Sequence, residues 1–278
     1  MKYAVFTGAT GGLGSLCVKE LSGMGNWMVF AGGTNEAQLH RLGKLENVIP
    51  VRLDVTKQES VNAALETIKS YTNKLDAVVN FAGVTSFTSL VEGDSVESIE
   101  KLLNVNVIGT ARVNRSFFDM IYKGRGRIIN CSSESGWMTP QPFAGPYVLS
   151  KYAVDAYNDS LRRELIYLGI PVVKIQPGSY ETNITHQVYE NFDRAISKTK
   201  YYSKLLAKMK PLMAMELNQK NDPRQLVKTV IRAMESRHPK LKYRIGTGKL
   251  LAMLELLPER GVDIIYKLMF GREEKKEN

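Results

Sequence analysis

The sequence predicts an α/β chain built on one doubly wound parallel sheet, with helices on both faces and a helical C-terminal extension. Three observations carry that prediction. Short β-rich runs alternate with longer helical patterns through the first two-thirds of the 278 residues. Several of these runs are continuously apolar, as expected of strands covered on both faces. The first run feeds a glycine-rich turn that opens directly into a helical pattern. A composition of 44% hydrophobic and 24% charged residues fits a globular chain. It excludes collagen-like, low-complexity and predominantly disordered readings.

Taken in order, Tyr3 to Thr7, Trp27 to Ala31, Val48 to Leu53, Ala77 to Phe81, Gly126 to Ser132 and Ile170 to Gln176 read as strands. Gly14 to Ser22, Glu36 to Leu42, Ser60 to Tyr71, Ser95 to Tyr122 and Pro146 to Leu168 read as the helices between them. Residues 179–220, rich in Tyr, Asn, Lys and Met, lack strand periodicity and read as a cover over the sheet. Asp222-Pro223 starts a helix as an N-cap followed by proline, running to about Glu235. Lys249 to Leu257 and Pro258 to Phe270 add two apolar helical stretches. Residues 1–278 therefore read as one domain: a core over 1–178, a cover segment over 179–220 and C-terminal helices over 221–278.

Two cysteines, Cys17 and Cys131, and three histidines give neither a disulfide framework nor metal-ligand spacing, so no metal site is expected. Met1-Lys2 runs at once into a short apolar strand and glycines, unlike a signal peptide, and the expected location is cytoplasmic. No stretch reaches the roughly 18 apolar residues of a membrane span. The formal charge is +10, and residues 201–278 carry 17 Lys+Arg against 9 Asp+Glu. This reads as a solvated basic face or a contact with an anionic partner. No nucleic-acid-binding module accompanies it, and no nucleic acid is expected as partner.

Two motifs carry chemistry. Thr7-Gly8-Ala9-Thr10-Gly11-Gly12-Leu13-Gly14 stands at a strand-to-helix turn. Glycines there let the backbone approach a pyrophosphate, and the free N–H groups and dipole of the following helix stabilise its charge. A tight turn with close helix packing would use the same residues. Tyr147-Val148-Leu149-Ser150-Lys151 places a phenol and an ammonium four residues apart, on one helix face. A nearby cation favours a phenolate and makes tyrosine serviceable as a general acid or base near neutrality.

With these motifs in order, the sequence resembles the short-chain dehydrogenase/reductase family. The resemblance rests on Thr7 to Gly14, Asn80-x-Ala82-Gly83, Ser133 after a strand, and Tyr147 with Lys151. Asp54-Val55, Asn106 to Gly109, and Pro177-Gly178 with Thr182 extend it over residues 3–182. It resembles in particular the branch of retinol and 17β-hydroxysteroid dehydrogenases, through Ser160 to Leu165, Gly169 to Val172 and Gln176 to Gly178. The resemblance implies a Rossmann-like fold that moves hydride between a nicotinamide cofactor and a carbonyl or alcohol carbon. It implies Tyr147 as proton donor or acceptor, Lys151 holding the nicotinamide ribose, Ser133 bonded to the reacting oxygen and Asn106 holding a relay water. It assigns Gly8, Gly12, Leu13 and Gly14 to the phosphates and Asp54 and Val55 to the adenine. Asn80, Ala82 and Gly83 fall beside the adenosine ribose, and Pro177, Gly178 and Thr182 near the carboxamide. Asp54 could instead cap a turn, Asn80 brace strands and Thr182 cap the next segment.

The sequence departs from the family pattern at Phe81, where a second asparagine is usual. Ser132 and Ser135 flank Ser133, and Ser133-Glu134-Ser135-Gly136 best matches the family's Ser-x-x-Gly. At the end of the second strand, Gly33-Thr34-Asn35 offers no acid for a ribose 2′-hydroxyl and no arginine for a 2′-phosphate. Absent repulsion, NADP(H) is the expected cofactor, with Thr34 and Asn35 as phosphate donors and NAD(H) as the alternative.

The branch implies an apolar substrate of steroid, retinoid or lipid type. Tyr180, Tyr189, Phe192, Leu212, Met213 and Met215 are candidates for the pocket lining or for ordinary packing. The tail, with Leu250, Leu254, Ile265 and Met269 beside Lys249, Arg260, Lys267 and Arg272, reads as a peripheral membrane contact, a buried tail or a subunit contact. The family resemblance implies a homo-oligomer. A non-catalytic nucleotide-binding regulator and a membrane-surface scaffold stand as alternatives from other classes.

Overall fold

Period-two alternation along the strands sends successive side chains to opposite faces, and both faces are covered. In β1 (Lys2–Thr7), Ala4 and Phe6 join one core while Val5 joins another. The first core, on one side of the sheet, packs against α1 (Gly12–Met24) through Cys17, Val18 and Leu21. It also packs against Leu226, Val230 and Ala233 of the helix Pro223–Glu235. The second core lies on the other side, against Val61, Ala64 and Ile68 of α3 (Gln58–Lys69) and against Val113 and Phe117. Each Val, Leu, Ile or Phe among them, fully removed from water, contributes roughly 1.5–3 kcal/mol before entropy is counted.

The computed structural model describes residues 1–180, 190, 192–193, 195–217 and 221–271, with side chains described throughout except at 215–217 and 249–251. Strands β2 (Trp27–Gly33), β3 (Val48–Arg52), β4 (Ala77–Asn80), β5 (Arg127–Cys131), β6 (Val172–Pro177) and β7 (Lys242–Ile245) pair with β1 in the order β3-β2-β1-β4-β5-β6-β7. Every pairing is parallel. The remaining helices are α2 (Glu36–Leu42), α4 (Ser95–Leu102), α5 (Gly109–Ser116), α6 (Phe118–Gly124), α7 (Gly145–Leu165), α8 (Ser203–Leu217), α9 (Pro223–Glu235), α10 (Lys249–Leu254) and α11 (Glu259–Phe270). Helices cover both faces of a Rossmann-like sheet, with α9 to α11 as the C-terminal extension.

Three elements depart from expectation. The helix expected over Ser95 to Tyr122 is divided: a π-helical turn, Leu103–Ile108, separates α4 from α5, and Phe117 breaks α5 from α6. Its apolar pattern runs unbroken because both breaks keep the same side facing the core. The helix expected to reach Leu168 gives way after Leu165 to a 3₁₀ turn, Ile166–Leu168, ending at Gly169 with φ +67°. Strand β7 was not expected at all. It is an edge strand whose Lys242 and Arg244 are exposed while Tyr243 is buried, and charges of that kind discourage edge-to-edge pairing.

Candidate active site

Strand order reverses between β1 and β4, and the crevice opens at their carboxyl ends, where ligands of open parallel sheets bind. A cavity of about 840 Å³ begins there. β1 ends at Thr7, and Gly8 turns the chain with φ +65°. A Cβ at Gly8 would lie 2.5 Å from the Ala82 nitrogen and 2.6 Å from the Phe81 carbonyl carbon. This close approach is what glycine supplies. Gly11, Gly12, Leu13 and Gly14 line the cavity. No side chain caps the first turn of α1 and no acid stands in it. The exposed N–H groups and the dipole thus remain for a diphosphate, and the turn fits a dinucleotide.

At the far end of this groove Thr34, Asp54 and Val55 line the wall. Asp54 holds its own turn as well: its Oδ1 accepts from the Thr56 N–H at 2.9 Å and the Thr56 hydroxyl at 2.6 Å, which lowers its pKa. Asn35 is not on the wall. Its Oδ1 caps α2 by accepting from the Gln38 N–H at 3.0 Å. Asn80 is likewise engaged elsewhere, accepting from the Thr7 hydroxyl and donating to Asn114 and Asn130, a buried amide network that braces β1, β4 and β5. Its successors Ala82 and Gly83 do reach the wall. The sequence reading missed Arg52. Parallel pairing sets it in register with Gly33, and it lines the cavity while its guanidinium is ion-paired to Glu36.

The reacting end is assembled by α7 and the loop after β5. Tyr147 and Lys151, one turn apart on α7, both line the cavity, with the Lys151 Nζ 5.6 Å from the Tyr147 ring centre. Lys151 is buried and donates to the Cys131 carbonyl at 3.3 Å. The three serines have different partners. Ser132 donates to the Lys151 carbonyl at 3.3 Å, whereas the Ser133 oxygen accepts from the Ser135 N–H at 3.1 Å and keeps its own O–H to donate. Asn106, on the π turn, is not on the wall. Its amide is bonded to both polar groups of Val84 and to Ser150 at 2.8 to 3.0 Å. Its carbonyl accepts from the Thr110 hydroxyl at 2.8 Å. Gly83 sits against it: a Cβ there would lie 3.3 Å from Asn106 Oδ1 and 3.6 Å from Lys151 Nζ.

Pro177 and Gly178 complete this end, and beyond them the wall turns apolar, with Phe87, Tyr180, Met209, Leu212, Met213, Tyr266 and Phe270. Phe192 lies behind the wall, its ring tilted at 47° against Phe87 in a third core with Leu206, Met209 and Phe270. Thr182 and Tyr189 lie outside the described residues, as does the side chain of Met215. Cys131 lines the cavity, and burial pushes its thiol up to about 11. The sequence reading also missed Glu134, a cavity-lining carboxyl whose pKa is raised by burial. Among the described residues no cluster of His, Cys, Asp and Glu could hold a metal, and no helix is long and apolar enough to cross a membrane.

Comparison with known proteins agrees with this geometry. The short chain dehydrogenase family profile matches residues 2–193. Retinol dehydrogenase 16 of Homo sapiens is 33% identical over 95% of this chain and 87% of its own length. A 3-ketoacyl-(acyl-carrier-protein) reductase from Brucella melitensis complexed with NADH shares the fold at TM-score 0.71 and 22% identity, covering 88% of this chain and 97% of that one. An actinorhodin polyketide ketoreductase with NADPH does so at TM-score 0.73 and 22% identity, covering 90% and 97%. With the glycine turn, the Tyr147–Lys151 pair and Ser133 gathered on one cavity, the chain belongs to the short-chain dehydrogenase/reductase family of NAD(P)(H)-dependent oxidoreductases.

Proposed function

We propose that the protein transfers hydride between NADP(H) and a bulky apolar carbonyl compound or secondary alcohol of steroid, retinoid or lipid type. The observation that carries this reading is a single cavity with three walls: the uncapped N-terminus of α1, the Ser133, Tyr147 and Lys151 side chains, and the apolar surface of Met209, Leu212 and Phe270. Bound in it, the nicotinamide supplies or accepts the hydride. Tyr147 gives the carbonyl oxygen its proton in reduction and takes it back in oxidation, while the Ser133 O–H holds that oxygen. Lys151 places a buried positive charge beside the phenol, where it stabilises the anion left by proton transfer. The apolar wall excludes water and seats the hydrocarbon body. The relative named as a retinol dehydrogenase supports this substrate class.

The choice of NADP(H) gains support from Arg52, which with Lys151 makes up the cationic lining of the cavity among the described residues. Released from Glu36, its guanidinium can take a 2′-phosphate in a charge-assisted, forked hydrogen bond. Arg52→Ala is expected to weaken NADPH binding by about 10- to 100-fold and to leave NADH binding nearly unchanged. Ligand-induced thermal stabilisation measures both. Equal loss for the two nucleotides would remove Arg52 from this role.

We also infer an apolar contact of α11 and the turn that joins it to α10 with a membrane surface. It is supported by Leu256 and Leu268, 83% and 80% exposed, with Ile264 at 56% between them. Charge lends no support, because residues 249–278 carry six basic and six acidic side chains and the basic excess falls over 201–248. Cosedimentation with neutral phosphatidylcholine vesicles should fall for the double variant Leu256→Glu, Leu268→Glu. Undiminished pelleting would contradict the contact.

A further inference from the structure

The loop that carries Ser133 and runs on to Tyr147 is fastened to the C-terminal extension at three points. The Glu134 Oε2 accepts from the Gly248 N–H at 2.9 Å, at the residue that caps α10. Thr139 donates its hydroxyl to Glu255 Oε1 at 2.6 Å, at the other end of α10. Gln141 Oε1 accepts from the Tyr266 hydroxyl, on the cavity face of α11. The first of these is the most enclosed. Glu134 follows Ser133 directly and lines the cavity, and a Cβ at Gly178 would lie 3.0 Å from its Oε2. The carboxyl therefore sits where the ends of β5, β6 and β7 meet.

We propose that Glu134 is a positioning residue that latches the C-terminal extension over the substrate end of the cavity, so that the apolar wall from α11 and the Ser133 turn move as one unit. A half-buried carboxylate accepting a backbone N–H is a stronger tie than a neutral pair. Its partner is the main chain, so the latch does not depend on the rotamer of a second side chain. Truncation leaves Gly248 unpaired and lets α10 and α11 lift away from Thr139 and Gln141. A large substrate, which needs Tyr266 and Phe270, then binds less well, while a small ketone seated only at Ser133 and Tyr147 is unaffected. The kinetic part rests on the proposed hydride transfer; the structural part does not.

The test therefore has two readouts on the NADPH-loaded protein, comparing Glu134→Ala and Glu134→Gln. Trypsin cleavage at Arg260 and Lys267, which needs no turnover, should be faster by about tenfold in the alanine variant. It should stay near the wild-type rate in the glutamine variant, which keeps an acceptor for Gly248. In ketone reduction, Glu134→Ala should raise KM for 2-decalone by about tenfold at unchanged kcat, with cyclohexanone reduction unaltered and glutamine restoring the decalone KM. Cleavage of the alanine variant at the wild-type rate overturns the latch. So does an equal loss on both ketones, which would place Glu134 in the reacting centre. Failure of the wild-type protein to reduce either ketone would count against the proposed function alone, since the cleavage rates still decide the latch.

Discussion

Tyr147→Phe is expected to lower kcat by about 10³-fold or more while leaving the NADPH-induced rise in melting temperature intact. The variant removes one oxygen. α7 keeps its course, Lys151 keeps its bond to the Cys131 carbonyl, and the glycine turn, on a different part of the cavity wall, is untouched. What disappears is the proton donor, and the Ser133 hydroxyl does not replace it, because an alcohol hydroxyl is a far weaker acid than a phenol. Comparing single-turnover rates in NADPH excess with the thermal shift separates the two effects. Activity within a few-fold of wild type would assign the proton transfer to another group.

Gly8→Ala should abolish cofactor binding and lower the melting temperature together. The backbone at residue 8 has φ +65°, a region that costs an alanine roughly 1–2 kcal/mol, and the added carbon would stand 2.5 Å from the Ala82 nitrogen. That contact is with main chain, so β1 and the segment after β4 must separate. The separation distorts the turn that offers N–H groups to the phosphates. Gly23→Ala is the control: it lies in α1 with nothing within 4 Å of the new carbon, and should gain about 0.5–1 kcal/mol through helix propensity. Thermal unfolding of the two variants with and without NADPH provides the comparison. A Gly8→Ala protein stabilised by NADPH as strongly as wild type would show that the turn does not hold the diphosphate.

What could be read from sequence followed from local pattern. Several of the strands declared themselves by continuously apolar runs, and Tyr147 and Lys151 by a spacing that one turn of helix converts into adjacency. Asp222 before Pro223 marked the start of α9, and its side chain does accept from the Arg224 N–H at 2.9 Å. What stayed hidden depended on pairing across the chain. Arg52 is an ordinary charge at the end of β3 until the register sets it opposite Gly33. Glu134 reads as a filler in Ser-x-x-Gly until β7, itself disguised by Lys242 and Arg244, brings Gly248 to its carboxylate. Asn35 and Asn80 show the converse. An asparagine suits a ribose or a phosphate, but its amide also suits a helix cap or a strand brace, and at these two positions those partners are present. The π turn around Asn106 left no trace in the apolar pattern, since one extra residue per turn over a single turn shifts the pattern too little to see.

The measurement that tests hydride transfer most directly is isotopic. The purified protein is incubated with NADPH deuterated at both C4 positions and with 2-decalone, and the product is analysed by mass spectrometry. The wild-type protein is expected to form decalol carrying one deuterium on the carbinol carbon, and Tyr147→Phe to form about 10³-fold less in the same time. Nucleotide-induced stabilisation without any labelled alcohol, from decalone or from a panel of steroid, retinoid and long-chain ketones and aldehydes, would contradict it and leave a nucleotide-binding protein without this chemistry.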